Sequence, residues 1–421
     1  MYRTQSHSHS KFSSRVFLGS IFAVAFALAC WAAPAAQAQT FHLLYTFTNG
    51  VDGAEPYAAP TLDSAGNLYG TTTGWTTAGG AYELQRHHSS WIFKSLYNFQ
   101  SQNDGYYPEA PLVFGPNGTL YGTTQHGGNR CNATTCGTVF NLQPPARICS
   151  NISCPWTEHP VYWFGGDELN DGDIPGSGPL TFDAAGNIYG TTISGGATGN
   201  GTIYQLVRSQ NSWTENILYS FPGVGLPGQP EAGVTLDAAG NLYGTAKGYT
   251  YGCVYALIHT DQGWNLQTIY VFQGGNDGAY PAGGLIFDAA GNAYGTTEGN
   301  DQTQPGSVFK LTPQGDGTWH ETVLHLFTTG YGPKANLATD AAGNLYGTTL
   351  GLGGLQGDRF GMVFKLSFVN GSWVFTDLYD FTAGTDGEYP AGGVTIDANG
   401  NLYGTAVGGA HNFGTVWEVT P

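Results

Sequence analysis

The stretch Asp288-Ala-Ala-Gly-Asn-Ala-Tyr-Gly-Thr-Thr297 carries a Gly-Asn/Thr-apolar-Tyr-Gly-Thr signature that the chain repeats seven times. The repeated tyrosines are Tyr69, Tyr121, Tyr189, Tyr243, Tyr294, Tyr346 and Tyr403. Their spacings of 52, 68, 54, 51, 52 and 57 residues match radial β architectures, not helical solenoids. One phrase used seven times reads as a structural unit before it reads as a reactive centre.

Around Tyr294 the pattern resolves into four strands. Gly283 to Phe287 reads as a short apolar strand, and Asp288 to Asn292 as a turn in which Asp caps backbone amides and Gly accepts a left-handed conformation. Ala293–Thr297, Gly306–Leu311 and Trp319–Phe327 read as the second, third and fourth strands. The other copies align on the same landmarks, with fourth strands opening at Trp91, Trp156, Trp213, Trp264 and Trp373. Four antiparallel strands in roughly 50 residues make one propeller blade. The expected fold is therefore all-β, a seven-bladed β-propeller. Phe41-His-Leu-Leu-Tyr-Thr-Phe47 reads as a fourth strand with no blade before it, and Gly414–Val419 as a third strand with none after. The first strand is expected to complete the last blade, which removes two open sheet edges.

Residues 1–38 read as an export signal. Arg3, Lys11 and Arg15 precede an apolar run from Val16 to Ala33, and Ala36-Gln37-Ala38 offers a small-x-small cleavage site. The mature product, residues 39–421, is expected to be one propeller domain, secreted or periplasmic, monomeric, and not inserted in a membrane. Cleavage lowers 13 Lys and Arg to 10 against 30 Asp and Glu, which excludes nucleic acid as a partner. Four cysteines, Cys131, Cys136, Cys149 and Cys154, form two C-x4-C pairs, and export favours disulfides over a metal site. Cys136 and Cys149 flank a predicted strand about 20 Å long, so local bridges Cys131 to Cys136 and Cys149 to Cys154 are expected. Cys253 is expected to pack as a small apolar residue.

The stretches Gly118-Thr-Leu-Tyr-Gly-Thr-Thr-Gln-His-Gly-Gly128 and Gly400-Asn-Leu-Tyr-Gly-Thr-Ala-Val-Gly-Gly409 resemble the Gloeo/Verruco (GloVer) tandem repeat of exported bacterial proteins. The likeness spans residues 41–421 and implies a surface or secreted repeat protein with no assigned chemistry. The Asp-Ala-Ala-Gly-Asn-Leu-Tyr element is also similar to NHL-type and streptogramin-lyase-like propellers.

In a propeller the fourth-to-first and second-to-third loops ring the channel mouth. Five of the seven fourth-to-first junctions carry Asp-Gly, at Asp52, Asp104, Asp171, Asp277 and Asp386. The plain reading is a recurrent Asx-type turn; the sharper one is a carboxylate ring for Ca²⁺ or a polyhydroxylated ligand. No cofactor motif is present, so Ca²⁺ is the one ion considered. His126, His411 and Glu298 fall in second-to-third loops, where a general acid/base pair could be drawn from them, although blades 2 and 7 are not neighbours. Loop aromatics such as Trp75, Tyr280 and Tyr389 suit stacking on sugar rings or peptide. The expectation is a binding module for a carbohydrate or protein ligand, with a metal-assisted hydrolase or lyase and a structural envelope repeat as rivals.

Overall fold

The structure is a computed structural model, and it describes Met1 and residues 39–74, 77–100, 103–130, 136–145, 156–166, 170–210, 212–223, 227–300, 303–327, 332–351, 360–409 and 411–421. Seven antiparallel sheets follow one another along the chain. They are numbered here as blades 1 to 7 by their second strands, Leu68–Thr72, Leu120–Thr124, Ile188–Gly195, Leu242–Ala246, Ala293–Thr297, Leu345–Thr349 and Leu402–Ala406. Blade 7 is completed by Thr40–Thr46, paired antiparallel with Thr415–Thr420 from Thr40 opposite Thr420 to Thr46 opposite Thr415. The expected clasp of the two chain ends is thus present.

Each part of the signature has a packing reason. The glycine lies beneath the aromatic ring of the third strand: a Cβ on Gly295 would stand 2.5 Å from the Phe309 ring, and one on Gly404 2.2 Å from Trp417. The tyrosine hydroxyl donates to the turn aspartate, as from Tyr294 to Asp288 Oδ2 at 3.0 Å. The threonine hydroxyl donates to a backbone carbonyl of the next blade, as from Thr245 to Gly283 at 2.9 Å and, across the closure, from Thr405 to Ala58 at 3.0 Å. Blade 2 has Gly115 where the others have Asp, and the Tyr121 ring occupies the space a Cβ there would need.

Neighbouring blades bury one face against another. The phenylalanine that ends each fourth strand meets the third-strand aromatic of the following blade, as Phe99 meets Phe140 at 5.0 Å between ring centroids and Phe272 meets Phe309 at 5.1 Å. Each of the seven buried apolar clusters joins two consecutive blades, and the one built on Phe47, Leu68, Tyr82 and Tyr403 joins blade 7 to blade 1. Cys253 is fully buried in its strand, and burial pushes its thiol pKa up to about 12, as befits a packed apolar residue.

Two details differ from expectation. The first strands are two residues long, such as Ile286–Phe287 in place of Gly283 to Phe287, because the Gly and Ala before them bond to the adjoining blade. Blade 3 gains an additional strand, Gly172–Pro175, paired with its lengthened second strand. Of the four clustered cysteines only Cys136 is among the described residues; Cys131, Cys149 and Cys154, and with them the pairing, lie outside these.

Acidic groups enter three blade interfaces where rings fill others. Glu158, Glu215 and Glu321 occupy the fourth-strand position that Phe93 and Phe375 take, and each has a buried Oε1 without a hydrogen-bond partner among the described residues. The Tyr162 hydroxyl lies 2.9 Å from Asp171 and 3.0 Å from Glu215. One hydroxyl proton cannot serve two carboxylates, which favours the protonated form of Glu215. Burial, reinforced by the charge of the neighbouring aspartate, raises Glu158 to about 7, Glu215 to about 8 and Glu321 to about 7.

Deleting residues 39–48 removes the closing strand and should lower the melting temperature by about 10 °C or more, measured by calorimetry. A truncated protein that melts with its parent would show that the ring does not need the clasp. The buried glutamates set the pH dependence. A carboxyl whose pKa rises on folding stabilises the fold fully below its ordinary value near 4.5, and that contribution is lost as pH climbs through 7 to 8. Melting temperature should therefore fall between pH 5 and pH 8, and the Glu158→Gln, Glu215→Gln, Glu321→Gln triple variant should flatten the slope by roughly 2 °C or more.

Candidate functional site at the channel mouth

The five Asp-Gly aspartates are held by their own loops, four of them buried and Asp277 half-buried. Asp52 accepts from the Tyr45 hydroxyl at 3.0 Å, the Thr48 amide and hydroxyl at 2.8 and 2.7 Å, and the Gly50 amide at 3.0 Å. Asp386 repeats the arrangement with Tyr379, Thr382 and Gly384. Asp104, Asp171 and Asp277 likewise accept from Tyr97, Tyr162 and Tyr270. This is the geometry of a turn tied to the end of the outer strand, and the structure does not bring the five carboxylates together. Among the described residues no group of three or more His, Cys, Asp or Glu is arranged to hold a metal ion.

The residue before the junction proline is left-handed in six blades. Glu55, Tyr107, Ile174, Gln229, Tyr280 and Tyr389 have φ of 55°, 57°, 55°, 55°, 59° and 56°. A side chain there costs roughly 1–2 kcal/mol. Hydrogen bonds to two blades hold it in place. The Tyr389 amide donates to Phe360 of blade 6 at 2.8 Å, and its carbonyl accepts from Val407 of blade 7 at 3.2 Å. Tyr280 does the same between Tyr251 and Glu298, and Tyr107 between Ala78 and Gln125. The fourth-to-first and second-to-third loops thus share one face, as expected.

His126 sits against Tyr106 and Tyr107, at centroid distances of 5.2 and 5.6 Å. Its buried Nδ1 has no hydrogen-bond partner among the described residues, and burial lowers its pKa against the opposing pull of Asp173. His411 is exposed in a turn of blade 7, and the structure does not bring it to His126. Trp75 lies outside the described residues. Glu298 is ion-paired with Lys247 at 2.8 Å, and Lys247 also binds Glu231 at 2.8 Å. Burial disfavours the charged ammonium, but these two carboxylates outweigh it and raise the lysine pKa.

Inside this rim lies the channel, a cavity of about 230 Å³ walled by the proline-following residue and first strand of the blades. The wall is narrow and small-residued: a Cβ on Gly392 would stand 2.4 Å from the Ala59 amide nitrogen. Tyr57, Glu109, Ser177, Glu231 and Lys334 supply its chemistry, with Ala282 and Ala391 in the remaining places. Glu109 Oε2 accepts from Gln125 Nε2 at 2.6 Å and from the Ser177 hydroxyl at 3.3 Å. Burial raises the Glu109 pKa, with the Lys334 charge opposing it. The Tyr57 phenol is pushed up to about 12 by burial and by Glu55 and Glu109. None of these five was singled out from sequence. The signal was available: aligning the seven copies on the junction proline puts Tyr57, Glu109, Glu231, Ala282, Lys334 and Ala391 in one column.

A seven-bladed propeller with a polar channel mouth is the class that fold and site define. The chain belongs to the Gloeobacter/Verrucomicrobia repeat family, whose sequence profile matches residues 32–247 and 246–421. No curated protein matches it. Among solved structures it is similar to a candidate 6-phosphogluconolactonase of Bacteroides fragilis, at 13% identity and a TM-score of 0.47, covering 82% of this chain and 95% of that one. It is also similar to TolB of Acinetobacter baumannii, at 11% identity and a TM-score of 0.39, covering 71% of this chain and 59% of the other. Both are too distant to carry an activity over.

The left-handed rim generates a stability test. Gln229→Gly relieves the backbone without removing a ring and should raise stability by about 1 kcal/mol in denaturant titration. A loss instead would mean that the side chain, not the backbone tie, holds this loop.

Proposed function

We propose that this is an exported binding module that takes a carbohydrate or protein ligand at the mouth of its channel. The observation that carries the reading is a contrast within the chain. Signature positions are alike in all seven blades, whereas the residue two after the signature threonine runs Thr73, Gln125, Ile193, Lys247, Glu298, Leu350 and Val407. The column after the proline varies as widely. Packing that accepts Ala, Glu or Lys in equivalent places does not dictate them, so these positions are free to serve a ligand. The tyrosines at 107, 280 and 389 support the same reading, since aromatic rings on a strained, tied backbone suit stacking on sugars or peptide. The apolar run before Ala38 and the Ala36-Gln37-Ala38 site support export to the periplasm or beyond.

A glycan array and a peptide pull-down on the folded protein test the proposal. The Tyr107→Ala, Tyr280→Ala, Tyr389→Ala triple variant should bind the captured ligand about tenfold more weakly, with an unchanged melting temperature. Ligands bound equally well by the variant would place recognition elsewhere.

A further inference from the structure

Two charged residues of the channel lack an ion-pair partner among the described residues. Glu231 is matched by Lys247, and that lysine is itself filled by Glu298, at 2.8 Å on both sides. Glu109 on blade 2 and Lys334 on blade 6 both line the cavity, and neither has an ion-pair partner within 4.0 Å among the described residues. Blades 2 and 6 stand nearly across a seven-fold ring from each other. Beside Lys334 the wall is small, with Ala282, Ala391 and Gly392, and the two charged residues line one cavity of about 230 Å³. Only one oxygen of Glu109 is occupied by Gln125 and Ser177.

Opposite charges facing each other across a small cavity select by sign at each end. A simple anion at Lys334 shares the cavity with the like charges of Glu109 and Glu231, and a simple cation at Glu109 shares it with Lys334. A molecule carrying both charges satisfies both heads at once, and the penalty for leaving either unpaired in a confined site then becomes discrimination. Resting on the channel-mouth reading above, we propose that the channel binds an amino-acid-like zwitterion, its ammonium on Glu109 and its carboxylate on Lys334. A free amino acid, or the part of a larger ligand that carries both groups, has this chemistry.

Calorimetric titration of the full-length protein with the ω-amino acids glycine, β-alanine, γ-aminobutyrate and ε-aminocaproate tests the inference, with butylamine and butyrate as single-charge controls. One length should bind best, because the series acts as a ruler between the two heads, and each control should bind about tenfold more weakly or worse. Glu109→Gln and Lys334→Met keep the side-chain size at partly exposed positions. Each should abolish the advantage of the zwitterion over the control that lacks the group facing it. Equal binding of zwitterion and controls, or zwitterion binding unchanged in both variants, overturns the inference. If a captured glycan or peptide depends on the tyrosine rim while no member of the series binds, the zwitterion assignment falls and the mouth reading stands. If the rim variant leaves that ligand untouched as well, both fall.

Discussion

The contact on which this molecule depends is a ring lying flat on a glycine and struck edge-on by a phenylalanine from the blade before. It recurs at all seven interfaces, edge-on at six and tilted between Phe327 and Phe364, with centroid separations from 5.0 Å for Phe99 and Phe140 to 5.6 Å for Phe381 and Trp417. Such pairs contribute about 0.5–1.5 kcal/mol beyond their buried area. The glycine is what lets the ring come down to the second strand, since any Cβ would overlap it. Closure follows from the same contact. Blade 7 receives its phenylalanine, Phe47, from the start of the chain, and that residue strikes Tyr82 of blade 1 at 5.3 Å. Without the first strand the seventh contact has no donor, and two sheets lose an interface together.

Because the contact is local and identical in each copy, it was legible. Spacing of the tyrosines fixed the blade count, and strands two and four of blade 5 fall at the predicted residues, Ala293–Thr297 and Trp319–Phe327. What misled was the innermost strand. Gly283 and Gly284 look like the start of a strand by their apolar neighbours, but Gly283 gives its carbonyl to Thr245 of blade 4 and Gly284 its amide to Asn336 of blade 6. Their bonds run around the ring, not along the sheet, and no pattern of alternating residues records that.

The site was less legible for a related reason. Repetition draws attention to what recurs, and Asp-Gly recurs; yet Asp52 and its counterparts spend their oxygens on Tyr45-type hydroxyls and loop amides. Glu109, Glu231 and Lys334 recur in position but not in kind, so a search for a motif passes over them. In a repeat protein the structural positions are those that agree between copies, and the positions free to serve a ligand are those that differ.

The same asymmetry appears deeper in the fold, where it has a thermodynamic cost. Tyr45 stacks on Phe93 at 4.7 Å between blades 7 and 1, whereas between blades 2 and 3 the equivalent Tyr162 faces Glu215. A ring in that slot contributes burial at every pH. A carboxyl does so best while protonated, the form that burial and the charge of its partner aspartate favour. Arg130 lies over Tyr162 at 5.5 Å and eases one of the three acidic interfaces. The acids therefore sit where the ring of blades is weakest at alkaline pH, in blades 2, 3 and 5, and blade 2 also carries Glu109. A scaffold with seven equivalent interfaces has been made unequal on its charged side, while the Phe93, Phe375 and Phe41 interfaces of blades 1, 6 and 7 keep their stacked rings.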